Sequence, residues 1–152
     1  MAEIVPARED MLDEIEAIER LCFSQPWTRS ALRSQLDAES HIFLAALHDG
    51  AVAGYAGAQT VLDECYISNI AVAPRFRRQG LAEALLREME RECRGRGMAF
   101  MTLEVRAGNA PAITLYEKCG FLRCGVRAAY YFDPREDAVI MTRFFNSQAK
   151  KD

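Results

Sequence analysis

The chain has 152 residues, half of them hydrophobic, and its 19 basic and 22 acidic side chains give a net charge of −3. This length and hydrophobic content predict one domain with one substantial core. The weakly negative charge argues against a nucleic-acid-binding protein, because such proteins usually carry a basic face.

A short edge strand is predicted at residues 4–6, and a helix follows at 11–22. The helix is predicted because apolar residues recur on one face, at Leu12, Ile15, Ile18, Leu21 and Cys22. A second helix is expected to begin after Thr28, a favourable N-cap, and to end near Leu36.

The middle of the chain reads as three strands and a long helix. The first two strands are joined by the hairpin signal Asp49-Gly50, and the strands are predicted at 42–48, 52–62 and 65–72. A basic loop leads from the third strand into a helix that begins near Gly80 and ends near Arg94.

The C-terminal part begins with a strand at 100–105. A helix starts at Asn109 or Ala110 and ends at Gly120. Two last strands, joined by a turn at 133–136, are predicted at 121–129 and 139–145.

The resulting element order is β-α-α-β-β-β-α-β-α-β-β. It predicts an α+β fold of three layers, with a mixed, mostly antiparallel sheet and helices on both faces. A central β-α-β unit should form a right-handed parallel crossover. We expect a single domain over residues 1–146 and a disordered C-terminal tail at 147–152.

Cysteine and histidine usage bears on compartment and metal content. The five cysteines are dispersed and form no C-x-x-C pair, and His41 and His48 lie near no cysteine cluster. Reduced thiols and no metal site are therefore expected. The N-terminus lacks the apolar segment of a signal peptide, and no apolar run is long enough to span a bilayer. We expect a cytoplasmic monomer without a membrane partner.

The loop that precedes the long helix is a candidate phosphate site, with the sequence Arg77-Arg78-Gln79-Gly80-Leu81-Ala82. A helix N-terminus offers free N–H groups, and one glycine lets the backbone approach an anion. The N–H groups of residues 78–82 are expected to hold a pyrophosphate. The glycine patterns of dinucleotide-binding and Walker loops are absent, which excludes those two ligand classes.

The loop pattern Arg77-x-x-Gly80-x-Ala82 resembles the acyl-CoA loop of the GCN5-related N-acetyltransferases. Within that family, further segments resemble the RimI-type ribosomal-protein alanine N-acetyltransferases, namely Pro26-Trp27, Asn69–Val72, Leu103–Asn109, Ala112–Phe121 and Tyr130-Tyr131. The resemblance spans nearly the whole chain. It implies the acyl-CoA N-acyltransferase fold, acetyl-CoA as cosubstrate, and a splayed gap beside the third long strand.

The resemblance also implies a set of cofactor contacts. The backbone of Ile70, Ala71 and Val72 should pair with the pantetheine arm, and one of these N–H groups should polarise the thioester. Asn109 should cap its helix and touch the cofactor. With the loop itself, the expected cofactor-binding residues are Ile70, Ala71, Val72, Arg77, Arg78, Gln79, Gly80, Leu81, Ala82, Glu83 and Asn109.

Two side chains are candidate catalytic groups. Glu104 lies in a largely apolar strand, where a carboxylate needs a partner or a role, and a salt bridge with Arg106 competes with a general-base role. Tyr116 has the helical spacing of a core residue but can also donate a proton to a thiolate. The resemblance favours the catalytic role for both. A thiol nucleophile at Cys65, Cys119 or Cys124 is disfavoured because no histidine is placed near any of them.

The acceptor is expected to be an α-amine. An α-amino group titrates about 2–3 pH units below lysine, which spares the base about 3 kcal/mol of deprotonation. Expected substrate-binding residues are Trp27, Tyr130 and Tyr131, although strand alternation would let only one of the two tyrosines face the groove. The resemblance implies the N-terminal alanine of a small-subunit ribosomal protein. Other protein N-termini, a small amine, and a non-catalytic acyl-CoA-binding module remain alternatives.

Overall fold

The structure is a computed structural model that describes residues 2–145. The tail expected at 147–152 lies outside the described residues. Seven strands form one sheet in the order β1-β2-β3-β4-β5-β7-β6. The strands are β1 (Ala2–Pro6), β2 (His41–His48), β3 (Ala51–Val61), β4 (Glu64–Val72), β5 (Phe100–Arg106), β6 (Leu122–Tyr131) and β7 (Glu136–Phe144).

Four α-helices connect these strands, and they are α1 (Leu12–Cys22), α2 (Arg29–Ser34), α3 (Leu81–Gly95) and α4 (Ala110–Lys118). Short 3-10 turns occupy Glu9–Met11 and Pro74–Phe76. All predicted helices and strands are present in the predicted order. Within residues 2–145, no helix combines the length and the apolar character needed to cross a membrane.

Neighbouring strands run antiparallel, except that β4 and β5 are parallel. The crossover between β4 and β5 is α3, as a parallel pair requires. The mixed three-layer fold predicted from the sequence is confirmed. What the sequence did not specify is that β7 inserts between β5 and β6.

Strands β2 and β3 are buried on both faces, which explains their continuous apolar runs. One core packs α3 and α4 against the sheet, and it includes Leu44 of β2 and Leu86 of α3. The other packs α1 and α2 against the opposite face, and it includes Phe43 of β2 and Leu32 of α2. Adjacent residues of β2 thus enter different cores.

The parallel pair β4–β5 is joined over only three residues of each strand, with Glu64–Tyr66 facing Phe100–Thr102. Ser68 forms a bulge in β4, because Ile67 pairs with Ala58 and Asn69 with the next residue, Gly57. Beyond this short ladder β4 and β5 do not pair. A gap therefore opens in the middle of the sheet, as the family resemblance implied.

Candidate active site

Two cavities meet at the gap between β4 and β5. The loop-side cavity, about 600 Å³, lies between the 76–83 loop, β4 and α4. The gap-side cavity, about 720 Å³, lies between the 22–27 loop, the gap edges of β4 and β5, and residues 130–134. Both are lined by the same five residues where they join, Cys22, Phe23, Ile70, Asn109 and Tyr116.

The loop-side cavity is built around the N-terminus of α3. Arg78 and Gly80 have φ angles of 66° and 78°, so the chain turns through the left-handed region twice before the helix begins at Leu81. No side chain caps this helix, and its first N–H groups cannot bond within it. The cavity wall therefore presents free N–H groups and the positive end of the helix dipole to an anion.

Most of the predicted cofactor residues line this cavity, namely Ile70, Ala71, Val72, Arg77, Arg78, Gly80, Leu81, Ala82, Glu83 and Asn109. Gln79 is absent from the lining. Arg77 turns back to β4, where Nε lies 3.2 Å from the Val72 carbonyl oxygen. Lys118 Nζ lies 3.0 Å from Glu83 Oε1 and lowers the pKa of that exposed carboxyl, which keeps the acid paired beside the anion site.

Glu104 lies on β5 at the gap and lines the gap-side cavity. Its side chain is only 7% exposed, and Arg127 Nε lies 3.1 Å from Oε2. The Tyr66 hydroxyl donates a hydrogen bond to Oε1. Burial, followed by this bond to the carboxylate, raises the pKa of Tyr66, so the phenol remains a donor.

The salt bridge between Glu104 and Arg106 that competed with a catalytic role is not formed. Arg106 instead donates to Glu136 Oε1 at 3.3 Å and to the Phe132 carbonyl at 2.9 Å, and its guanidinium stacks over the Tyr131 ring at 4.5 Å. The β6–β7 turn attracts Arg106 because that turn places a carboxylate and free carbonyls within its reach. Glu104 does have an arginine partner, but this partner is Arg127 on β6.

Tyr116 lies on the buried face of α4 and packs against Phe121, with ring centroids 5.6 Å apart. It is therefore a core residue, and it also lines both cavities at their junction. Burial raises the pKa of its phenol, so the hydroxyl stays protonated and can act as a proton donor. The two interpretations of Tyr116 are thus compatible.

Asn109 precedes α4 as its N-cap, and its Oδ1 accepts a hydrogen bond from the Ala112 N–H at 3.3 Å. The cap predicted from the sequence is confirmed. Because Asn109 also lines both cavities, its position at the helix start places a polar side chain at the point where the cavities join.

Trp27, Tyr130 and Tyr131 all line the gap-side cavity. The expectation that only one of the two tyrosines would face the groove is wrong. Between Arg127 and Tyr131 the β6 strand carries extra residues relative to β7, and Ala129 has a φ of 50°. This irregularity breaks strand alternation, and the two rings lie edge to face with centroids 5.0 Å apart.

Sequence reasoning missed several residues of the site, namely Cys22, Glu19, Tyr66, Asn69 and Arg127. Glu19 had a readable signal, since it lies four residues after Ile15 and three before Cys22, on the apolar stripe of α1. The other four carry no comparable local signal. The cysteines considered as nucleophiles, Cys65, Cys119 and Cys124, line neither cavity.

Residues 2–145 contain no cluster of three or more His, Cys, Asp or Glu side chains arranged to hold a metal ion. The candidate groups for proton transfer at the gap are the Glu104 carboxylate and the Tyr116 phenol, beside the backbone of β4. Such a set can accept a proton on one side of the gap and donate one on the other.

Comparison with known proteins gives a consistent result. The family model described as Acetyltransferase (GNAT) family matches residues 12–121. The [Ribosomal protein bS18]-alanine N-acetyltransferase of Escherichia coli K12 is 43% identical over 126 residues, which is 82% of this chain and 84% of that protein.

Solved structures agree. The crystal structure of the ribosomal-protein-S18-alanine N-acetyltransferase from Escherichia coli superimposes with a TM-score of 0.87 at 39% identity, covering 95% of this chain and 94% of that one. Arabidopsis thaliana NAA60, in complex with acetyl-CoA, shares the fold with a TM-score of 0.88 at 21% identity, covering 95% of this chain and all of that one.

Proposed function

The chain belongs to the acetyltransferase (GNAT) family, and within that family we propose that it transfers the acetyl group of acetyl-CoA to the N-terminal α-amine of a protein. The proposed acceptor is the N-terminal alanine of a small-subunit ribosomal protein. The observation that supports this proposal is the junction of the two cavities at Tyr116, where a cosubstrate in one cavity and an amine in the other would meet.

The loop-side cavity fits a nucleotide-linked pyrophosphate. Its wall combines the uncapped start of α3 with the two left-handed residues Arg78 and Gly80. The gap edge of β4, over residues 70–72, does not pair with β5 and suits an extended amide-rich arm. Acetyl-CoA would supply a thioester, and a backbone N–H of Ile70 or Val72 would stabilise charge on its carbonyl oxygen.

Glu104 is the proposed general base. A carboxylate has about four acceptor positions, so the bonds from Tyr66 and Arg127 leave room for an amine proton, taken directly or through a water. The Tyr66 and Arg127 contacts also hold the carboxylate in one orientation. Because an α-amine needs little help in losing its proton at neutral pH, one partnered carboxylate suffices.

Tyr116 is the proposed general acid. Its phenol lies where the two cavities join and keeps its proton because it is buried. It is placed to protonate the thiolate that leaves when the amide forms. Trp27, Tyr130 and Tyr131 would form walls around the acceptor peptide, since all three line the gap-side cavity.

The acceptor assignment rests on the named activity of the Escherichia coli relative at 43% identity. A test uses a peptide that begins with alanine and contains one internal lysine, incubated with the protein and acetyl-CoA. We expect acetylation of the α-amine, located by tandem mass spectrometry. The same peptide with a blocked N-terminus should remain unmodified.

Other outcomes would replace the proposal. Acetyl groups on lysine alone would exclude the N-terminal role. Transfer to spermidine but to no peptide would favour a small-amine acetyltransferase, and acetyl-CoA binding without any transfer would favour a binding module. Peptides that begin with serine or methionine measure how narrow the acceptor range is.

A further inference from the structure

A buried carboxylate lies beside the gap but away from Glu104. Glu19 of α1 is 1% exposed and lines the gap-side cavity. It accepts three hydrogen bonds, one from the Tyr55 hydroxyl, one from Asn69 Nδ2 at 3.2 Å, and one from the Trp27 backbone N–H at 2.9 Å. One carboxylate thus ties together α1, β3, β4 and the loop that follows α1.

Such a group requires its partners. A charge removed from water is costly unless donors surround it, and these three donors occupy most of its acceptor positions. Burial, together with the bond to Glu19, raises the pKa of Tyr55, so the phenol remains a donor. Glu19 is therefore occupied by the protein itself and is not available to bind an acceptor amine.

Asn69, one of the three donors to Glu19, lies at the bulge of β4. Asn69 Oδ1 accepts from Gln35 Nε2 at 3.4 Å, and Asn69 pairs with Gly57 of β3. A Cβ atom at Gly57 would lie 2.1 Å from Gln35 Oε1 and 2.8 Å from Asn69 Oδ1, so only glycine allows this approach. The bulge at which β4 leaves β5 is thus held by side chains from two helices.

Trp27, the second donor, lies in the loop that lines the gap-side cavity. The bond to its backbone N–H holds the loop between α1 and α2, whose residues Phe23, Ser24, Gln25 and Trp27 line that cavity. The two ends of the contact therefore set the distance between the gap edge of β4 and the loop.

We propose that Glu19 is a positioning residue for acetyl transfer, which fixes the acceptor loop at Trp27 against the bulge of β4 at Asn69. It does not touch the reacting atoms. The proposal rests on the proposed function above, because the wall that it positions is the wall assigned to the acceptor. Replacing Glu19 should therefore weaken acetylation of the acceptor peptide and leave acetyl-CoA binding unchanged, because Glu19 does not line the loop-side cavity.

The chain offers a direct reporter and a matched control. Trp27 is its one tryptophan, so tryptophan fluorescence reports on the loop alone. Glu14 lies on the same helix, and its Oε2 accepts a backbone hydrogen bond from Val52 at 2.9 Å, yet it lines neither cavity. Glu14→Gln therefore makes the same change, a carboxylate to an amide, at a residue that accepts a backbone hydrogen bond but does not touch the acceptor loop.

The test compares Glu19→Gln with Glu14→Gln. In Glu19→Gln, acrylamide should quench the fluorescence of Trp27 more strongly than in the wild type. The kcat/KM for the acceptor peptide should fall at least about tenfold, because the loop that carries Trp27 is no longer held in position. The KM for acetyl-CoA should stay within about twofold of the wild-type value. Glu14→Gln should match the wild type in all three measurements.

Tyr55→Phe serves as a second variant if Glu19→Gln fails to fold. It removes one donor and keeps the ring, and it should change Trp27 quenching and peptide kcat/KM in the same direction by a smaller factor. Circular dichroism and the melting temperature establish that each variant is folded.

Two results would overturn the proposal. Quenching of Trp27 at the wild-type level in both variants would mean that Glu19 does not hold the loop. A released loop with unchanged peptide kcat/KM would mean that its position does not matter for transfer. If the wild type acetylates no peptide at all, the proposed function fails, and the quenching comparison still decides whether Glu19 holds Trp27.

Discussion

Arg127 and Glu104 form an ion pair across β7, the strand that lies between their own strands. Arg127 Nε on β6 lies 3.1 Å from Glu104 Oε2 on β5, and the Glu104 side chain is 7% exposed. Arg127, on the outermost strand β6, therefore orients the proposed base. The ion pair depends on the placement of β7 between β5 and β6.

Removal of Arg127 should destabilise the protein. Arg127→Gln leaves a largely buried carboxylate without its counter-charge, and we expect a loss of about 1–3 kcal/mol in the free energy of unfolding. Most of that loss should disappear in the double variant with Glu104→Gln. Urea unfolding of the four proteins in this cycle gives the coupling energy.

The matched control is the exposed pair of Arg8 and Asp10, whose side chains are 58% and 71% exposed. A cycle with Arg8→Gln and Asp10→Asn should give a coupling below about 1 kcal/mol, since solvent screens such pairs. Equal coupling energies in the two cycles would mean that burial does not strengthen the Glu104 pair.

Glu104→Gln should lower kcat for peptide acetylation by about 10²–10⁴-fold, because the amide cannot take a proton. The KM for acetyl-CoA should change little, since Glu104 lines only the gap-side cavity. Glu117→Gln, on the exposed side of α4, is the control and should retain full activity. Steady-state kinetics give kcat for each variant. A wild-type kcat in Glu104→Gln would mean that Glu104 is not the general base.

Tyr116→Phe should lower kcat by at least about tenfold while the melting temperature changes little. The ring keeps its packing against Phe121, so the loss isolates the hydroxyl. Because burial raises the pKa of Tyr116, the wild-type kcat should not decline with pH through loss of this proton below about pH 10. Full activity in Tyr116→Phe would leave the thiolate to be protonated by another donor.

Gly80→Ala should raise the KM for acetyl-CoA and lower stability by about 1–2 kcal/mol, because alanine is strained at a φ of 78°. Gly97 offers the control, with a φ of 74° just beyond α3 and open space around its Cβ position, as at Gly80. Gly97→Ala should lose similar stability and keep the wild-type KM. If Gly80→Ala and Gly97→Ala had the same KM for acetyl-CoA, the conformation of the loop at Gly80 would not contribute to cosubstrate binding.

Alkaline pH should destabilise the protein through Tyr55. Burial, then the bond to Glu19, raises the pKa of Tyr55 above its value in the unfolded chain, so the folded state holds the proton longer. The stabilisation is complete below about pH 10 and is lost as the pH rises further, since the unfolded state then releases the proton. Tyr55→Phe should flatten the decline in unfolding free energy above pH 10, and an unchanged slope would contradict the assignment.

The order of helices and strands was predictable because its signals are local. The apolar spacing of α1, the Thr28 and Asn109 caps, and the Asp49-Gly50 turn each act within a few residues. The shape of the loop before α3 was predictable for the same reason, since it depends on Gly80 and on the free N–H groups that any helix start presents.

The catalytic surroundings were only partly predictable. Glu104 and Tyr116 were identified as candidates, and the alternative considered for Glu104 was a salt bridge with Arg106, two residues away on the same strand. That alternative salt bridge is not formed, because the strand order brings Arg127 to Glu104 and Arg106 pairs with Glu136. The same turn region, with its irregular β6, brought Tyr130 and Tyr131 to one cavity against simple alternation.

The sequence by itself determined the periodicities, the turns and the glycine-containing loop before α3, because each depends on residues that are neighbours along the chain. Only the tertiary structure decided the gap between β4 and β5, the ion pair of Glu104 and Arg127, and the contact that joins Glu19 to Trp27 and Asn69. These features depend on side chains separated by as many as 50 residues, which meet only when the strands are ordered and the helices packed.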